Sequence, residues 1–313
     1  MRIVSFLPAA TEMVYLLGLG DHLVGRSHEC DYPEEVRDKP VIVDCALDLS
    51  TMSMAEIDAA VSRQLSSGKS LYHVHEARLR IAAPDLLLTQ NLCQVCGPAG
   101  TEVSEVLRTM DSAPKVIWQN PRSFEEVVAA IRALGKETET EEIANTWAAW
   151  ATSRVQRIST MSSALRRVRV SFLEWIDPVY CGGHWVPQML KWAGAEDRNS
   201  RIGTDSVRIP WEQVLDYQPE VIIAAPCGCN THKALEQAKL LQSRPGWHDL
   251  PAVRHGKVYA VDANSYFARP GPRLVEGVAL LAHLIHREYF DWTGPANAYA
   301  PVLSAPERRA AHQ

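Results

Sequence analysis

Thiol and imidazole side chains recur in short segments that follow apolar runs. His28 and Cys30 lie two positions apart in the segment RSHECDY, and Cys93 and Cys96 form a Cys-x-x-Cys pair. If residues 28–30 are extended, the first two side chains project to the same side of the chain. Thiolates and imidazoles are common ligands of transition metals. The pattern therefore predicts a metal site formed by His28, Cys30, Cys93, Cys96 and Cys227.

The alternative for these residues is structural. Small cysteines often pack as apolar groups in tight loops. A histidine such as His28 can equally hydrogen-bond the loop backbone.

Large aromatic side chains form a second group in the predicted loops. They are Tyr32, Trp185, Trp211, Tyr266 and Phe267, and Arg269 lies close to the last two in the sequence. Loops are ordinarily polar and exposed, so this group indicates a binding site for a broad, flat and largely apolar ligand. For any single tryptophan, packing in the core is the alternative.

An internal repeat indicates which elements position these segments. Residues 2–25 and 167–200 share a pattern of strand, loop, helix and glycine, and residues 84–96 and 219–232 share an apolar strand followed by a cysteine loop. Strands that are apolar on both faces are typical of parallel sheets covered by helices. The sequence therefore predicts an α/β fold with two similar lobes and mainly parallel sheets. Ligands of such sheets bind beyond the carboxyl ends of the strands, so the ligand cleft is predicted between the lobes.

A long helical pattern separates the two copies of the repeat. Over residues 140–165, apolar side chains recur at three- and four-residue steps, at Ile143, Trp147, Trp150, Val155 and Ile158. We therefore expect one long rigid helix to join the lobes. The predicted boundaries are residues 1–120 for the N-terminal lobe, 121–165 for the connecting helical segment, 166–290 for the C-terminal lobe and 291–313 for a loose tail.

Composition and charge exclude two classes of partner. The 313 residues are 46% hydrophobic and 22% charged, with a net charge of -5 and no cluster of basic residues, so nucleic acid is not an expected partner. No apolar run approaches the roughly 20 residues that span a bilayer, so membrane insertion is not expected. An odd number of cysteines is typical of reduced thiols, and the N-terminal stretch lacks the pattern of a secretion signal. We therefore predict a cytoplasmic protein, with a periplasmic location as the alternative if a signal sequence was removed.

Several longer motifs occur in a defined order over residues 2–287. They are SFLPAATEMVYLLGLGDHLVG, PDLLLTQ, HWVPQMLKWAGAED, IPWEQVLDYQPEVII, RHGKVYAVD and RPGPRLVEG. This ordered set resembles the Fe/cobalamin periplasmic-binding domain family, the class III substrate-binding proteins of ABC importers, and most closely its BtuF-like cobalamin-binding members. The resemblance implies two α/β lobes and one rigid connecting helix, and we expect a monomer.

The resemblance also implies roles for individual residues. Matched position by position, the ligand contacts would come from Pro8, Ala9, Ala10, Thr11, Tyr32, Trp211, Tyr266, Phe267 and Arg269. A corrin is a flat apolar disc with amides at its edge, so aromatic faces and an arginine are suitable partners. Glu76 and Glu212 match acidic residues that would dock on the permease of an importer.

Three functions are consistent with these residues. The leading hypothesis is non-catalytic binding of cobalamin or a related corrinoid, as the substrate-binding component of an ABC importer or as a cytoplasmic carrier of the same fold. The second is an iron-chelate, haem or metal-ion binding protein, in which His28 or a cysteine contacts the metal. The third is a thiolate-dependent enzyme that acts on a corrinoid or a metal centre.

Overall fold

The chain forms two compact units. The structure is a computed structural model, and it describes residues 1–91, 100–108, 110 and 112–302. The N-terminal unit comprises Met1–Pro121, Glu125–Ala148 and Pro270–Pro272, and the C-terminal unit comprises Arg122–Phe124, Ala149–Arg269 and the residues from Arg273 onward. Within the described part of the chain, no helix combines the length and the hydropathy that a membrane-crossing segment needs.

A mainly parallel sheet organises the N-terminal unit. Its strands among the described residues are β1 (Ile3–Ser5), β2 (Leu23–Ser27), β3 (Val41–Cys45), β4 (Tyr72–Val74), β5 (Leu86–Thr89) and β6 (Lys115–Trp118). They lie in the order β4-β3-β2-β1-β5-β6. Only the pair of β3 and β4 is antiparallel among these strands. Strands β1 and β5 are buried along their whole length, as expected for parallel strands covered on both faces.

Five helices accompany this sheet in the described residues. They are α1 (Pro8–Leu16), α2 (Met54–Ser66), α3 (Glu76–Ala82), α4 (Gly100–Leu107) and α5 (Phe124–Glu137). Val4 and Leu87 of the sheet share one buried cluster with Leu79 of α3 and Val103 of α4. Packing of this apolar cluster holds α3 and α4 on the sheet.

The C-terminal unit repeats the architecture. Its strands in the described residues are β7 (Val168–Trp175), β8 (Tyr180–Cys181), β9 (Ala195–Glu196), β10 (Val221–Ala224), β11 (Val258–Val261) and β12 (Tyr299–Pro301). The main path of the sheet is β12-β11-β10-β7-β8, and β9 pairs with β7. Strands β7, β10 and β11 are parallel to one another, whereas β8 and β12 are antiparallel to their neighbours. The prediction of two α/β lobes with mainly parallel sheets is confirmed.

The remaining helices follow α5 in the chain. They are α6 (Glu141–Ser163), α7 (Val186–Trp192), α8 (Trp211–Tyr217), α9 (Thr231–Ala238), α10 (Pro251–Arg254), α11 (Ala263–Tyr266) and α12 (Leu274–Ile285). The longest is α6, close to the predicted range of 140–165. The boundary between the two units falls within it, between Ala148 and Ala149.

The buried face of α6 differs from the predicted one. Ile143 and Trp150 were expected on the apolar face, but their side chains are 45% and 43% exposed. Val155 and Ile158 are buried as predicted, and Ala144, Ala148 and Ala151 lie on the same buried face. Alanine is small enough to allow close packing against neighbouring elements. The sequence pattern favoured the larger side chains of Ile143 and Trp150, each of which immediately precedes a buried alanine.

Part of the predicted loose tail is ordered. Residues 299–301 form β12, which pairs antiparallel with β11. The structure therefore departs from the expected loose tail at this strand, because a backbone ladder holds a segment whose side chains show no periodicity. Residues 303–313 lie outside the described part of the chain.

Candidate functional site

The segments that follow β1 and β2 meet in the N-terminal unit. The two strands are adjacent and parallel, so the chain leaves both of them at the same edge of the sheet. After β1, Leu7 is extended and Pro8 begins helix α1. The expected ligand contacts Pro8, Ala9, Ala10 and Thr11 form the first turn of α1 and are buried. Proline favours this first turn because it has no backbone N–H that needs a partner.

Arg26 organises the segment that follows β2. Its guanidinium donates hydrogen bonds to the carbonyl groups of Ser27, His28 and Cys30 at 3.1, 3.5 and 3.3 Å. It also donates to the carbonyls of Arg37 and Lys39 at 3.0 and 3.1 Å. A buried arginine thus satisfies backbone acceptors along both arms of the loop, which fixes the loop's shape.

His28 and Cys30 point to different elements. His28 Nδ1 lies 3.2 Å from the carbonyl oxygen of Val43 in β3, whereas Cys30 Sγ lies 3.0 Å from Thr11 Oγ1 in α1. The backbone turns between them, since Cys30 N donates to the Ser27 carbonyl at 3.1 Å. The expectation that both side chains project to one side of an extended segment is therefore wrong.

Asp44 lies beside His28 and connects it to His75. Asp44 at the end of β3 has one carboxylate oxygen 3.9 Å from His28 Nδ1 and the other 3.2 Å from His75 Nε2. The ring of His73 packs edge-on against that of His75, with centroids 4.8 Å apart. The antiparallel pairing of β3 with β4 brings Asp44 opposite His73, and this pairing cannot be deduced from local spacing.

The predicted metal ligands do not form a described metal site. Cys93 and Cys96 lie outside the described residues. Cys227 lies in the C-terminal unit, whereas His28 and Cys30 lie in the N-terminal one. Within residues 1–91, 100–108, 110 and 112–302, no three His, Cys, Asp or Glu side chains are arranged to hold a metal ion.

Several thiols are in environments that favour the protonated form. Burial raises the pKa of Cys45 and of Cys181 above the usual thiol value. It also raises the pKa of Cys229, to about 11. A nucleophilic cysteine needs the opposite shift, toward the thiolate. These three cysteines therefore give no support to a thiolate-dependent enzyme.

Tyr32 is the most accessible of the predicted aromatic ligands. Its side chain is 49% exposed, next to the loop that Arg26 fixes. An exposed phenol ring on a fixed loop can contact a ligand without a large loss of backbone entropy.

Three other predicted aromatics form a buried cluster in the C-terminal unit. Trp185 Nε1 donates a hydrogen bond of 2.7 Å to the carbonyl of Phe267, which connects the segment before α7 to the segment after α11. Phe267 also packs against Phe172 of β7, and Tyr266 packs against Trp292. Trp185, Tyr266 and Phe267 are at most 7% exposed. These packed rings anchor Phe267, which lies two residues before the half-buried Arg269.

Trp211 belongs to a different set of contacts. It is the first residue of α8, is 6% exposed, and packs against Trp247 with ring centroids 6.2 Å apart. Its Nε1 donates to the Pro245 carbonyl at 2.8 Å, and the Arg244 guanidinium lies 5.8 Å from its ring centroid. The expectation of a loop tryptophan is wrong, because the indole is part of the packing between α8 and residues 244–247.

The two predicted docking residues occupy similar local positions. Glu76 is the first residue of α3, and its carboxylate pairs with Arg80 at 3.2 Å. Glu212 is exposed in the first turn of α8. An acidic residue at a helix start is favoured by the helix dipole. The presence of Glu76 and Glu212 at these positions can therefore be explained by helix stability as well as by docking.

Comparison with known families now identifies the chain. Residues 3–265 match the model of the periplasmic binding protein family. The chain belongs to this family. The resemblance found in the ordered motifs is thereby confirmed.

Relatives of this periplasmic binding protein include transport components. The chain is 26% identical over 295 residues to an uncharacterized ABC transporter substrate-binding lipoprotein of Bacillus subtilis, YvrC, and the match covers 92% of this chain and 81% of the relative. It is 22% identical over 280 residues to the Vitamin B12-binding protein of Vibrio cholerae, with 88% and 86% covered. The crystal structure of a periplasmic haem-binding protein from Pseudomonas aeruginosa matches with a TM-score of 0.69 at 18% identity, covering 92% of this chain and 93% of that one. At this low identity, the similarity to the haem-binding protein shows a shared fold alone.

Proposed function

We propose that this periplasmic binding protein binds cobalamin or a related corrinoid without transforming it. In this proposal the protein is the substrate-binding component of an ABC importer, or a carrier of the same fold. The observation that carries the proposal is the match to the Vitamin B12-binding protein of Vibrio cholerae, which extends over 88% of this chain. The relatives described above are named as binding proteins, which supports a binding role over catalysis.

The local structure of each unit is suited to a flat ligand. In the N-terminal unit, Tyr32 presents an exposed ring beside a loop fixed by Arg26. In the C-terminal unit, the buried contact between Trp185 and Phe267 supports the segment of Arg269. An exposed aromatic ring and a guanidinium on well-supported loops can bind an apolar disc with amide groups at its edge, because little order must be gained on binding.

Haem or an iron chelate is the second candidate ligand. The observation that favours it is the position of His28, whose Nδ1 lies 3.2 Å from the Val43 carbonyl. A backbone carbonyl at one ring nitrogen orients an imidazole so that the other nitrogen can ligate a metal. The fold similarity to a haem-binding protein is compatible with this alternative.

Titration of the purified protein with hydroxocobalamin and with haemin tests the two candidates directly. The proposal predicts saturable one-to-one binding of the corrinoid by calorimetry, and weaker or no saturable binding of haemin. A change in the corrin spectrum on binding would indicate a protein ligand to cobalt. Saturable binding of haemin alone would replace the proposal by the second candidate.

A pair of tyrosine variants tests the site. Tyr32→Ala is expected to weaken corrinoid binding by roughly 10-fold, because an exposed aromatic contact contributes about 1–3 kcal/mol to binding when it is central to an interface. Tyr289→Ala is the matched control, since Tyr289 is 60% exposed and lies outside the candidate residues. Equal affinities of the two variants and the parent would remove Tyr32 from the site.

The location of the protein stays a prediction. The relatives include a lipoprotein, and the structural match is to a periplasmic protein. These relatives give no support to the cytoplasmic location expected from the sequence.

A further inference from the structure

Cys227 and Cys229 lie in a tight turn directly after β10. Cys229 N donates a hydrogen bond of 3.1 Å to the Pro226 carbonyl. Gly228 between the cysteines has φ of +80°, a conformation that glycine adopts without strain. These are the features of a β-turn that carries cysteines at its second and fourth positions.

The turn is fixed on one side to the sheet and on the other side to helix α11. Cys227 N donates to the Glu174 carbonyl of β7 at 3.0 Å, and the Cys229 carbonyl accepts from Ala263 N of α11 at 3.1 Å. The following residue, Asn230, caps α9 by accepting from Lys233 N at 3.0 Å. The backbone on either side of the two cysteines is therefore held in place.

The separation of the two cysteines suits a disulfide. Residues two apart have Cα atoms at most about 7 Å apart even in a fully extended chain, and the turn shortens this distance. A disulfide needs a Cα separation of about 4.4–6.8 Å. The spacing along the chain therefore permits a disulfide between these two cysteines.

The two thiols differ in accessibility. Neither is joined in a disulfide in this structure, and Cys227 is exposed whereas Cys229 is partly buried. Burial raises the pKa of Cys229 to about 11, and the negative charge of a Cys227 thiolate contributes in the same direction.

We propose that Cys227 and Cys229 are a reversible oxidation site, which closes to a disulfide within the turn by exchange with a low-molecular-weight disulfide. The exposed Cys227 thiolate attacks one sulfur of the small disulfide, forms a mixed disulfide and releases one small thiolate. The Cys229 thiolate then attacks the Cys227 sulfur, forms the Cys227–Cys229 bond and releases the second small thiolate. The protein loses two protons and two electrons, and the small disulfide is reduced to two thiols.

The second step has an expected dependence on pH. Closure requires the thiolate of Cys229, and its pKa of about 11 keeps most of this thiol protonated at neutral pH. The rate of closure is therefore expected to rise about tenfold for each unit of pH below the pKa. The mixed disulfide at Cys227 is expected to accumulate before closure at neutral pH.

Peptide mapping after exposure to glutathione disulfide tests the proposal. Trypsin releases residues 209–233, and Cys227 and Cys229 are the only cysteines in this peptide. From the folded full-length protein, the peptide is expected to lose about 2 Da, the mass of two hydrogens, as the disulfide forms. Cys229→Ser should stop at the mixed disulfide on Cys227. Cys227→Ser should react more slowly at the remaining, less accessible thiol.

Two outcomes would overturn the proposal. One is a wild-type peptide that stays reduced, or stops at the mixed disulfide, up to about pH 9, where the thiolate fraction is much larger. The other is found by repeating the equilibration in urea. Oxidation of the unfolded chain to the same or a greater extent at equilibrium would mean that the folded turn does not favour the disulfide.

Discussion

Arg26 shows how one buried side chain decides the shape of a candidate binding loop. Its guanidinium donates to carbonyl groups on both arms of the loop, including those of Cys30 and Arg37. His28 lies on one of these arms and Tyr32 lies between them in the chain, so the positions of both depend on Arg26. The contribution of Arg26 to the candidate site is therefore to fix the backbone of the loop that follows β2.

Arg26→Lys is expected to lower the free energy of unfolding by about 1–3 kcal/mol, because an ammonium cannot reach all the carbonyls that the guanidinium satisfies. Urea unfolding measures the change. Arg78→Lys is the control, since Arg78 makes one exposed bond of 2.9 Å to the Val41 carbonyl. Arg78→Lys should change stability by no more than about 0.5 kcal/mol. Equal effects of the two variants would contradict the role assigned to Arg26.

At the scale of elements, α5 and α6 approach each other closely at a glycine. Gly135 lies inside α5, and a Cβ added there would be 2.5 Å from the Cβ of Ala144 in α6. Ala144 is fully buried. Glycine weakens a helix interior, so its presence here is explained by the contact with α6.

Gly135→Ala is expected to destabilise the N-terminal unit by about 1–3 kcal/mol, because the added methyl group overpacks the contact. Helix propensity by itself predicts the opposite sign, a gain of about 1 kcal/mol. Thermal and urea unfolding decide between these signs. The double variant Gly135→Ala with Ala144→Gly should recover part of the loss. A higher free energy of unfolding for Gly135→Ala than for the parent would contradict this prediction, because it would show that α6 shifts to accommodate the methyl group without destabilising the unit.

At the scale of the whole molecule, partly buried histidines couple stability to pH. Burial lowers the pKa of His184, and the charge of Arg122 acts in the same direction, while Asp205 at 3.2 Å from Nε2 opposes both. Burial also lowers the pKa of His286, although its bond to the Gly194 carbonyl opposes the shift. Both residues belong to the C-terminal unit.

The sign of the pH effect follows from these shifts. The unfolded chain has an ordinary histidine pKa of about 6.5, so it binds protons first as the pH falls below that value. The contribution of these two histidines to the stability of the C-terminal unit is therefore full above about pH 6.5 and decreases as the pH falls through their lowered folded-state pKa values. His184→Asn should flatten this decrease, and asparagine tolerates the φ of +51° at this position. His232→Asn is the control, because the His232 side chain is 80% exposed. Parallel pH profiles for parent and His184→Asn would contradict the assignment.

The importer role is tested by acidic residues on the surface. If the protein docks on a permease through Glu76 and Glu212, the double variant Glu76→Arg with Glu212→Arg should abolish corrinoid uptake by cells that depend on the protein. Corrinoid binding by the purified variant should be retained. Glu236→Arg is the control, as Glu236 is 56% exposed on another helix. Unchanged uptake by the double variant would argue against docking through this pair.

The sequence by itself determined the two α/β units and the long helix. Continuous apolar strands such as Leu86–Thr89 and Val221–Ala224 are buried as expected, because a strand covered on both faces must be apolar throughout. The ordered motifs determined the family for a related reason, since they mark the strand ends and helix starts of that fold. Glycines, prolines and helix starts are local signals, and local signals can be found in a linear sequence.

Only the tertiary structure decided what the chemically distinctive residues contact. Cys30 meets Thr11 because β1 and β2 are adjacent, and Asp44 lies between His28 and His75 because β4 pairs antiparallel with β3. Trp211 is buried against Trp247, 36 positions later in the numbering of the chain. Each of these contacts joins residues that are far apart in sequence. The spacing of residue types along one segment carries no information about such pairings, because they depend on strand order and packing.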